Sequence, residues 1–429
     1  MADLIRSVRG MNDLLPTQSA LWRRIEGAAH ACFARYGYGE IRTPILERTE
    51  LFRRQLGEHT DLVEKEMYTF VDALNGESLT LRPEATVPTM RALLERGVAA
   101  RGKKQRVYYV GPMFRHERPQ QGRYRQFHQI GAEAAGYAGP LADVEQVLMC
   151  RRLWEELGIA GKLRLKVNNL GDAEERRSHR EALVSYFRDR QDELDEGARR
   201  RIETNPLRLL DSKDAQVRAI AEDAPKLEEH LGEESRAIFA EFESGLARQS
   251  VACERSHTLV RGLDYYCYAV YEWVFDAKGR ELTLCGGGRY DGLAGQIGGH
   301  PLPGCGFAIG MERLAELVVR ATEEEPEQGV AECEVFVVYG KACSGEALAL
   351  AEALRSAGIC ATMDTDPSSF KSMMRKADAS GAPCAAILGE DEAAAKEVSV
   401  KPLRGQGEQF RIAQDKAAQK LKEMLDSGT

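Results

Sequence analysis

Residues 104–136, KQRVYYVGPMFRHERPQQGRYRQFHQIGAEAAG, constrain the fold most. Two strand-like runs, 104–117 and 125–136, flank one loop of Gly, Pro and Arg. Strands joined by so short a loop pair antiparallel, because a parallel pair needs a crossover of about a dozen residues or more. The pattern recurs. MYTFVDALNGESLTLRP sets two β-rich runs around Asn75-Gly76, a hairpin signal. HTLVRGLDYYCYAVYEWVFD, a turn at AKG and RELTLCGGGRYDGL make a further pair. Strands that arrive as adjacent hairpins, with helices between, predict an α+β domain on an antiparallel sheet.

The rest of the chain is laid out around that sheet. After Pro16, Leu21, Ile25, Ala28, Cys32 and Tyr36 recur on one helical face, with Thr17 as the expected N-cap. ATVPTMRALLERG reads as a helix ending at Gly97, ADVEQVLMCRRLWEELG as a helix, and KLRLKVNNLG as a strand. From about Ala173 to Ser250 strand signals vanish and charged helical runs dominate, which predicts a helical insertion. PGCGFAIG is a short strand leading into the helix MERLAELVVRATE, and the first domain closes near residue 322. Residues 323–332 are an acidic, Pro- and Gly-containing linker. Beyond it, residues 333–429 alternate strand and helix, which predicts a small α/β domain with a mostly parallel sheet.

The chain carries a net charge of -8, so no general basic surface draws it to a polyanion. Residues 101–125 nevertheless hold eight lysines and arginines against one acid, Glu117. Guanidinium groups of one sign repel one another unless an anion binds, and their forks match phosphate oxygens. A solvated loop is the plain alternative. Alternation along the strands puts Arg115 with Glu117 if 111–117 is one strand. It puts Phe127, Gln129 and Glu133 on one face if 125–133 is its partner. His116 and His128 then point the other way, as sheet-face residues. Nine glycines between Gly286 and Gly306 let backbone approach a ligand closely or simply make sharp turns. GCGFAIG misses the GxGxxG spacing by one residue, and no GxxxxGK[ST] occurs, so neither a Rossmann site nor a P-loop is expected.

Ten cysteines are scattered with no CxxC pair, mostly in apolar runs. Reduced thiols in a cytoplasmic protein are expected, without a disulfide framework or zinc site. The absence of a long apolar run or an apolar signal core predicts a chain that is neither membrane-spanning nor exported.

Taken together, these stretches resemble a known family. FRHERPQQGRYRQF resembles motif 2 of the class II aminoacyl-tRNA synthetases, GFAIGMERL motif 3, and YGEIRTPILE, with Pro44, the dimer-forming motif 1. LVRGLDYYCYAVYEW and CGGGRYDGL resemble the two motifs specific to histidyl-tRNA synthetases, and RGMNDLLP and LRPEATVP are similar to further stretches of that family. The resemblance spans the whole chain and implies a class II catalytic fold with a helical insertion plus an anticodon-binding-type α/β domain. It implies ATP-dependent joining of L-histidine to tRNA(His) through a histidyl-adenylate, in a cytoplasmic homodimer, with ATP carrying Mg²⁺ and no zinc or organic cofactor. By the same resemblance Arg115 and Arg261 neutralise the α-phosphate, Arg123 meets the γ-phosphate, and Phe127 and Arg313 sandwich an adenine whose amine Glu117 reads. Glu84, Thr86 and Gln129 surround the α-amino group. Glu133 and Tyr266 bind the two imidazole nitrogens, and Tyr265 and Tyr290 line the pocket. An acid on one ring nitrogen and a phenol on the other suit a neutral imidazole, which offers one donor and one acceptor. Two rivals share much of this pattern. One is a regulatory synthetase-like paralogue, which typically lacks the C-terminal domain and the intact RGLDYY stretch. The other is a module sensing uncharged tRNA inside a larger protein. The chain keeps both RGLDYY and the tail and has no kinase signature.

Overall fold

A computed structural model describes residues 4–54, 65–99, 102–119, 122–210, 212, 214–259, 265–322, 333–366, 368–404 and 407–426. The chain divides into two compact units, one built on an eight-stranded sheet and the other on a five-stranded sheet.

The eight strands lie in the order Gly39–Glu40, Gln105–Phe114, Gln126–Ala135, Gly304–Gly310, Arg280–Arg289, Cys267–Ala277, Arg164–Asn169 and Cys253–Arg255. The five inner pairings are antiparallel and the two outermost are parallel. This is the α+β sheet that the hairpins predict. Lys278 and Gly279, both at positive φ, form the two-residue turn between the strands ending at Ala277 and starting at Arg280. Such a turn matches the twist of the strands it joins. The hairpin around Asn75-Gly76 also forms. Its arms, Tyr68–Val71 and Ser78–Leu81, pair antiparallel and, with Leu46–Arg48, make a three-stranded sheet.

Each strand of the large sheet buries two different faces, because side chains alternate. Ile130, Ala132 and Ala134 join one apolar cluster with the helices Pro16–Arg35, Leu141–Glu156, Glu233–Arg248 and Met311–Thr322. The odd-numbered residues of the same strand face the other way, where the helix Thr86–Glu95 and Tyr265, Tyr266 and Tyr290 pack in a second cluster. Burying side chains such as Trp22, Ile25 and Phe33 stabilises the first layer by roughly 1.5–3 kcal/mol each.

Several local expectations shift. The first helix begins at Pro16, so Thr17 is its second residue and not its cap. Proline suits that first position because its missing N–H would have no partner there. The strand expected over 111–117 ends at Phe114. The segment from about Ala173 is helical, in pieces from Ala173–Arg188 to Glu233–Arg248, but these serve two cores. Leu183, Phe187, Ile202 and Val217 form a cluster of their own, whereas Phe239, Phe242 and Leu246 join the core beneath the large sheet.

The second unit orders its strands Ala361–Met363, Val335–Tyr339, Cys384–Leu388, Glu397–Pro402 and Phe410–Ala413. Its first three strands are parallel, as the alternation implies. The last two add antiparallel, so the sheet is evenly mixed rather than mostly parallel.

Candidate active site

The strands Gln105–Phe114 and Gln126–Ala135 run in unbroken register from Gln105↔Ala135 to Phe114↔Gln126. With no bulge, Phe127, Gln129, Gly131 and Glu133 share one face, as alternation predicts. Glu133 is wholly buried there. Thr86 Oγ1 donates to its Oε1 at 2.7 Å and the Tyr109 hydroxyl at 3.3 Å, while the Tyr290 hydroxyl donates to Oε2. Burial raises the Glu133 carboxyl to about 8. The Tyr290, Thr86 and Tyr109 hydroxyls oppose that rise, and the nearby Glu84 charge adds to it.

Room for this arrangement comes from glycine. A Cβ on Gly306, which pairs with Glu133 across the ladder, would fall inside the Glu133 carboxylate. A Cβ on Gly131 would fall inside the Tyr109 ring. Both are close approaches that any larger side chain would block.

Glu84 sits where the helix Thr86–Glu95 starts. Its carboxylate accepts from the Thr86 and Val87 N–H groups at 2.8 and 2.9 Å, which satisfies donors that have no partner within the helix. Burial raises this carboxyl too, against those two N–H bonds and the charge of Arg115. The Gln129 Oε1 atom is buried with no hydrogen-bond partner. An orphaned acceptor costs free energy unless a ligand supplies a donor. Tyr265 lies between two aromatic neighbours, 4.6 Å from the Tyr266 ring and 5.8 Å from Tyr290. Glu84, Thr86, Gln129, Glu133, Tyr265, Tyr266 and Tyr290 therefore line one side of the sheet. The Thr86 hydroxyl is already engaged by Glu133.

The arginines stand next to this cluster. Arg115 continues the ladder by one bond, its N–H to Arg125 O at 2.9 Å, and its Nε donates to Pro83 O at 3.0 Å. Its guanidinium lies 5.1 Å from the centre of the Phe127 ring. Glu117 is off the strand, with its N–H on Arg115 O. Its carboxyl meets Arg123 at 3.4 Å. Arg313, three residues into its helix, donates to Gly122 O at 3.1 Å and Thr283 O at 2.6 Å. It thus holds the arginine loop against the strand Arg280–Arg289. Burial pulls both Arg115 and Arg313 below the ordinary guanidinium value, with Glu66 and Glu117 opposing at Arg115 and the Arg123 charge adding to the fall at Arg313. Anion binding would relieve that cost. Arg261 lies outside the described residues.

His128 does turn to the opposite face, where its ring sits edge-on to Trp22 at 4.9 Å and its N–H donates to Glu312 at 2.9 Å. His116 lies beyond the strand end instead of on a sheet face, edge-on to Tyr68. Two residues escaped the sequence reading. Tyr109 reaches Glu133 because it pairs with Gly131, a fact of register that only the tyrosine's alternation with Val107 hints at. Arg289, almost wholly buried, donates to Tyr137 O and Asp291 at 2.9 and 3.0 Å and pairs with buried Asp143. It fixes the segment that carries Tyr290. Burial raises Asp143 to about 6 despite Arg289.

Residues 10–314 match the family model described as Histidyl-tRNA synthetase, and residues 334–424 match that described as Anticodon binding domain. The chain belongs to the histidyl-tRNA synthetase family. It is 51% identical over 413 residues to the Histidine--tRNA ligase of Nitrosomonas europaea, covering 96% of this chain and 97% of that one. To the protein of the same name in Cupriavidus taiwanensis it is 49% identical over 425 residues, covering 96% and 92%. Among solved structures, the apo S. aureus histidyl-tRNA synthetase superposes with a TM-score of 0.81 at 33% identity, over 98% of this chain and all of that one. A Bacillus halodurans structure described as an ATP phosphoribosyltransferase regulatory subunit/histidyl-tRNA synthetase shares the fold, with a TM-score of 0.62 at 20% identity over 90% of this chain and 98% of that one. Within the family, the large sheet is the catalytic domain and the five-stranded unit the anticodon-binding one. No helix among the described residues is long and apolar enough to cross a membrane.

Proposed function

We propose that the chain charges tRNA(His) with L-histidine, in two steps through a histidyl-adenylate, with release of pyrophosphate and then AMP. The observation that carries this reading is the buried Glu133 carboxyl beside the orphaned Gln129 acceptor and Glu84, next to the arginines of the loop. One side offers acceptors for a ring N–H and for a cationic amine. The other offers guanidinium groups for phosphates.

In the first step the histidine carboxylate attacks the α-phosphorus of ATP in line. The substrate is ATP carrying Mg²⁺ on its outer phosphates. Arg115, and Arg261 from the RGLDYY stretch, spread the charge that develops on the α-phosphoryl oxygens, and Arg123 holds the γ-phosphate. The adenine stacks on Phe127, with Glu117 accepting from its amine. Arg313, whose Nε donates to the Gly122 carbonyl, closes the other face of the base. In the second step a ribose hydroxyl at the tRNA 3′ end attacks the adenylate carbonyl and AMP leaves. The protein's work is placement and charge neutralisation, which suffices for in-line phosphoryl chemistry. Glu84 and Gln129 receive the α-amino group. Glu133 and Tyr266 receive the imidazole, with Tyr265 and Tyr290 around it.

The functional form is a cytoplasmic homodimer. Leu46 and Phe70 are exposed on one face of the three-stranded sheet, an apolar surface suited to a second copy. Two assays test the reading: incorporation of labelled pyrophosphate into ATP that depends on histidine, and charging of bulk tRNA with labelled histidine. Both are expected. Histidine binding with neither activity would favour a regulatory paralogue.

A further inference from the structure

We infer that Tyr109 is a positioning residue for histidine recognition: through its hydroxyl it aims the Glu133 carboxylate at the substrate ring and keeps it ready to accept a hydrogen bond. The inference rests on the functional reading above and deepens its imidazole site.

The geometry points to Tyr109 in three ways. Its hydroxyl is the one donor to Glu133 that comes from the neighbouring strand, at 3.3 Å from Oε1. Thr86 reaches the same oxygen from the start of a helix, and Tyr290 reaches the other oxygen from the segment after the strand Arg280–Arg289. A carboxylate held from three directions has one orientation left. Second, the opposite residue is cut down to glycine. Gly131 pairs with Tyr109, and a Cβ there would overlap the tyrosine ring and also approach the Phe307 carbonyl at 2.7 Å. The ring lies flat on the sheet only because Gly131 permits it. Third, Tyr109 is 4% exposed, so its hydroxyl is buried beside Glu133 and away from bulk solvent.

The groups facing Glu133 come from every element packed on it. They are Glu84 and Thr86 at the helix start, Tyr109 on one strand, Cys305 on the other, and Tyr265 and Tyr290 above. Glu84 is the one carboxylate among them and disfavours the ionised form of Glu133. The three hydroxyls favour it, because each donates to the charged form. Burial and the charges of Glu133 and Glu84 raise the Tyr109 phenol well above its ordinary value, so it remains a protonated donor throughout the working pH range. Removing it leaves Glu133 with two donors, a freer rotation and a weaker hold on its negative charge.

The test uses the full chain and histidine-dependent pyrophosphate exchange. Tyr109→Phe keeps the ring and deletes only the hydroxyl. The expected result is a KM for histidine raised about tenfold, with kcat and the KM for ATP within about twofold of the parent chain. The pH at which kcat/KM for histidine reaches half its maximum should also move upward, since fewer donors favour the protonated acid. A merely structural role would move neither the split between the two substrates nor the pH profile. Gly131→Ala, which evicts the ring, should shift the same two quantities in the same directions. Should Tyr109→Phe not fold, Tyr109→Met, close in bulk and without a hydroxyl, takes its place. A folded hydroxyl-free variant with the parental KM for histidine and pH profile overturns the inference, as does an equal loss toward both substrates. A parent chain without histidine-dependent exchange would sink the functional reading and this inference together. A parent that exchanges beside an unaltered variant sinks this inference alone.

Discussion

Glu133 has two opposing demands placed on it. Burial favours its neutral form, yet the proposed ring recognition uses it as an acceptor. Burial prevails in the folded chain and raises the carboxyl to about 8 from the ordinary 4.5. The folded chain then keeps a proton that the unfolded chain has already released. Linkage sets the sign: between those two values stability falls as pH rises. Without histidine, the melting temperature of the parent chain should drop from about pH 5 to about pH 8 more than that of Glu133→Gln, which has nothing to titrate there. Parallel melting curves for the two proteins would contradict this. The same substitution should raise the KM for histidine by one to two orders of magnitude, since a hydrogen bond to a charged group contributes about 1.5–3 kcal/mol. At this scale the sequence was legible where alternation sufficed. Phe127, Gln129 and Glu133 needed only an unbroken strand to share a face, and the register supplies one. Tyr109 was not legible, because its role depends on which residue lies opposite. Arg115 and Glu117 were placed on a strand that ends at Phe114, before either of them, so their proximity comes from the turn that follows.

Among the elements, the strand Gly304–Gly310 shows why glycine recurs here. Its register sets Gly306 against Glu133, and the carboxylate lies across the bare backbone. Tyr290, whose ring a Cβ on Gly304 would approach at 2.6 Å, uses the same relief. Gly306→Ala forces the carboxylate, or the strand itself, to move, because the new methyl also meets the Ala132 carbonyl at 2.9 Å. The expected cost is roughly 1–3 kcal/mol in chemical denaturation, the range for overpacking a rigid site. Histidine-dependent exchange should fall by more than that stability loss explains. A variant of parental stability and exchange would show that the sheet yields here without consequence. Hairpins and helix starts were legible at this level because turn residues and periodicity are local signals. The two strands that close the smaller sheet, Glu397–Pro402 and Phe410–Ala413, were not. They add antiparallel after a run of strand–helix alternation, and nothing in that alternation announces the change of direction.

Across the whole molecule, the segments that match the synthetase model and the anticodon-binding model have separate cores. Every described residue assigned to histidine or ATP belongs to the unit of the eight-stranded sheet, whose apolar clusters are self-contained. The five-stranded unit has its own buried core, from Val335 and Val337 to Leu421. By the proposed reading adenylation needs only the first, since the residues proposed for both small substrates belong to that unit. Transfer needs tRNA, and the second unit matches the anticodon-binding model. A chain ending at residue 322 should therefore keep histidine-dependent pyrophosphate exchange within about tenfold of the parent. Its charging of tRNA should fall by at least two orders of magnitude, chiefly through weaker tRNA binding, since removing one of two linked contacts forfeits their effective concentration. The comparison needs both assays on one preparation. Loss of exchange in a truncated protein that still melts cooperatively would mean that the second unit supports the chemical step itself. Unimpaired charging would mean that the catalytic unit alone selects and holds its tRNA.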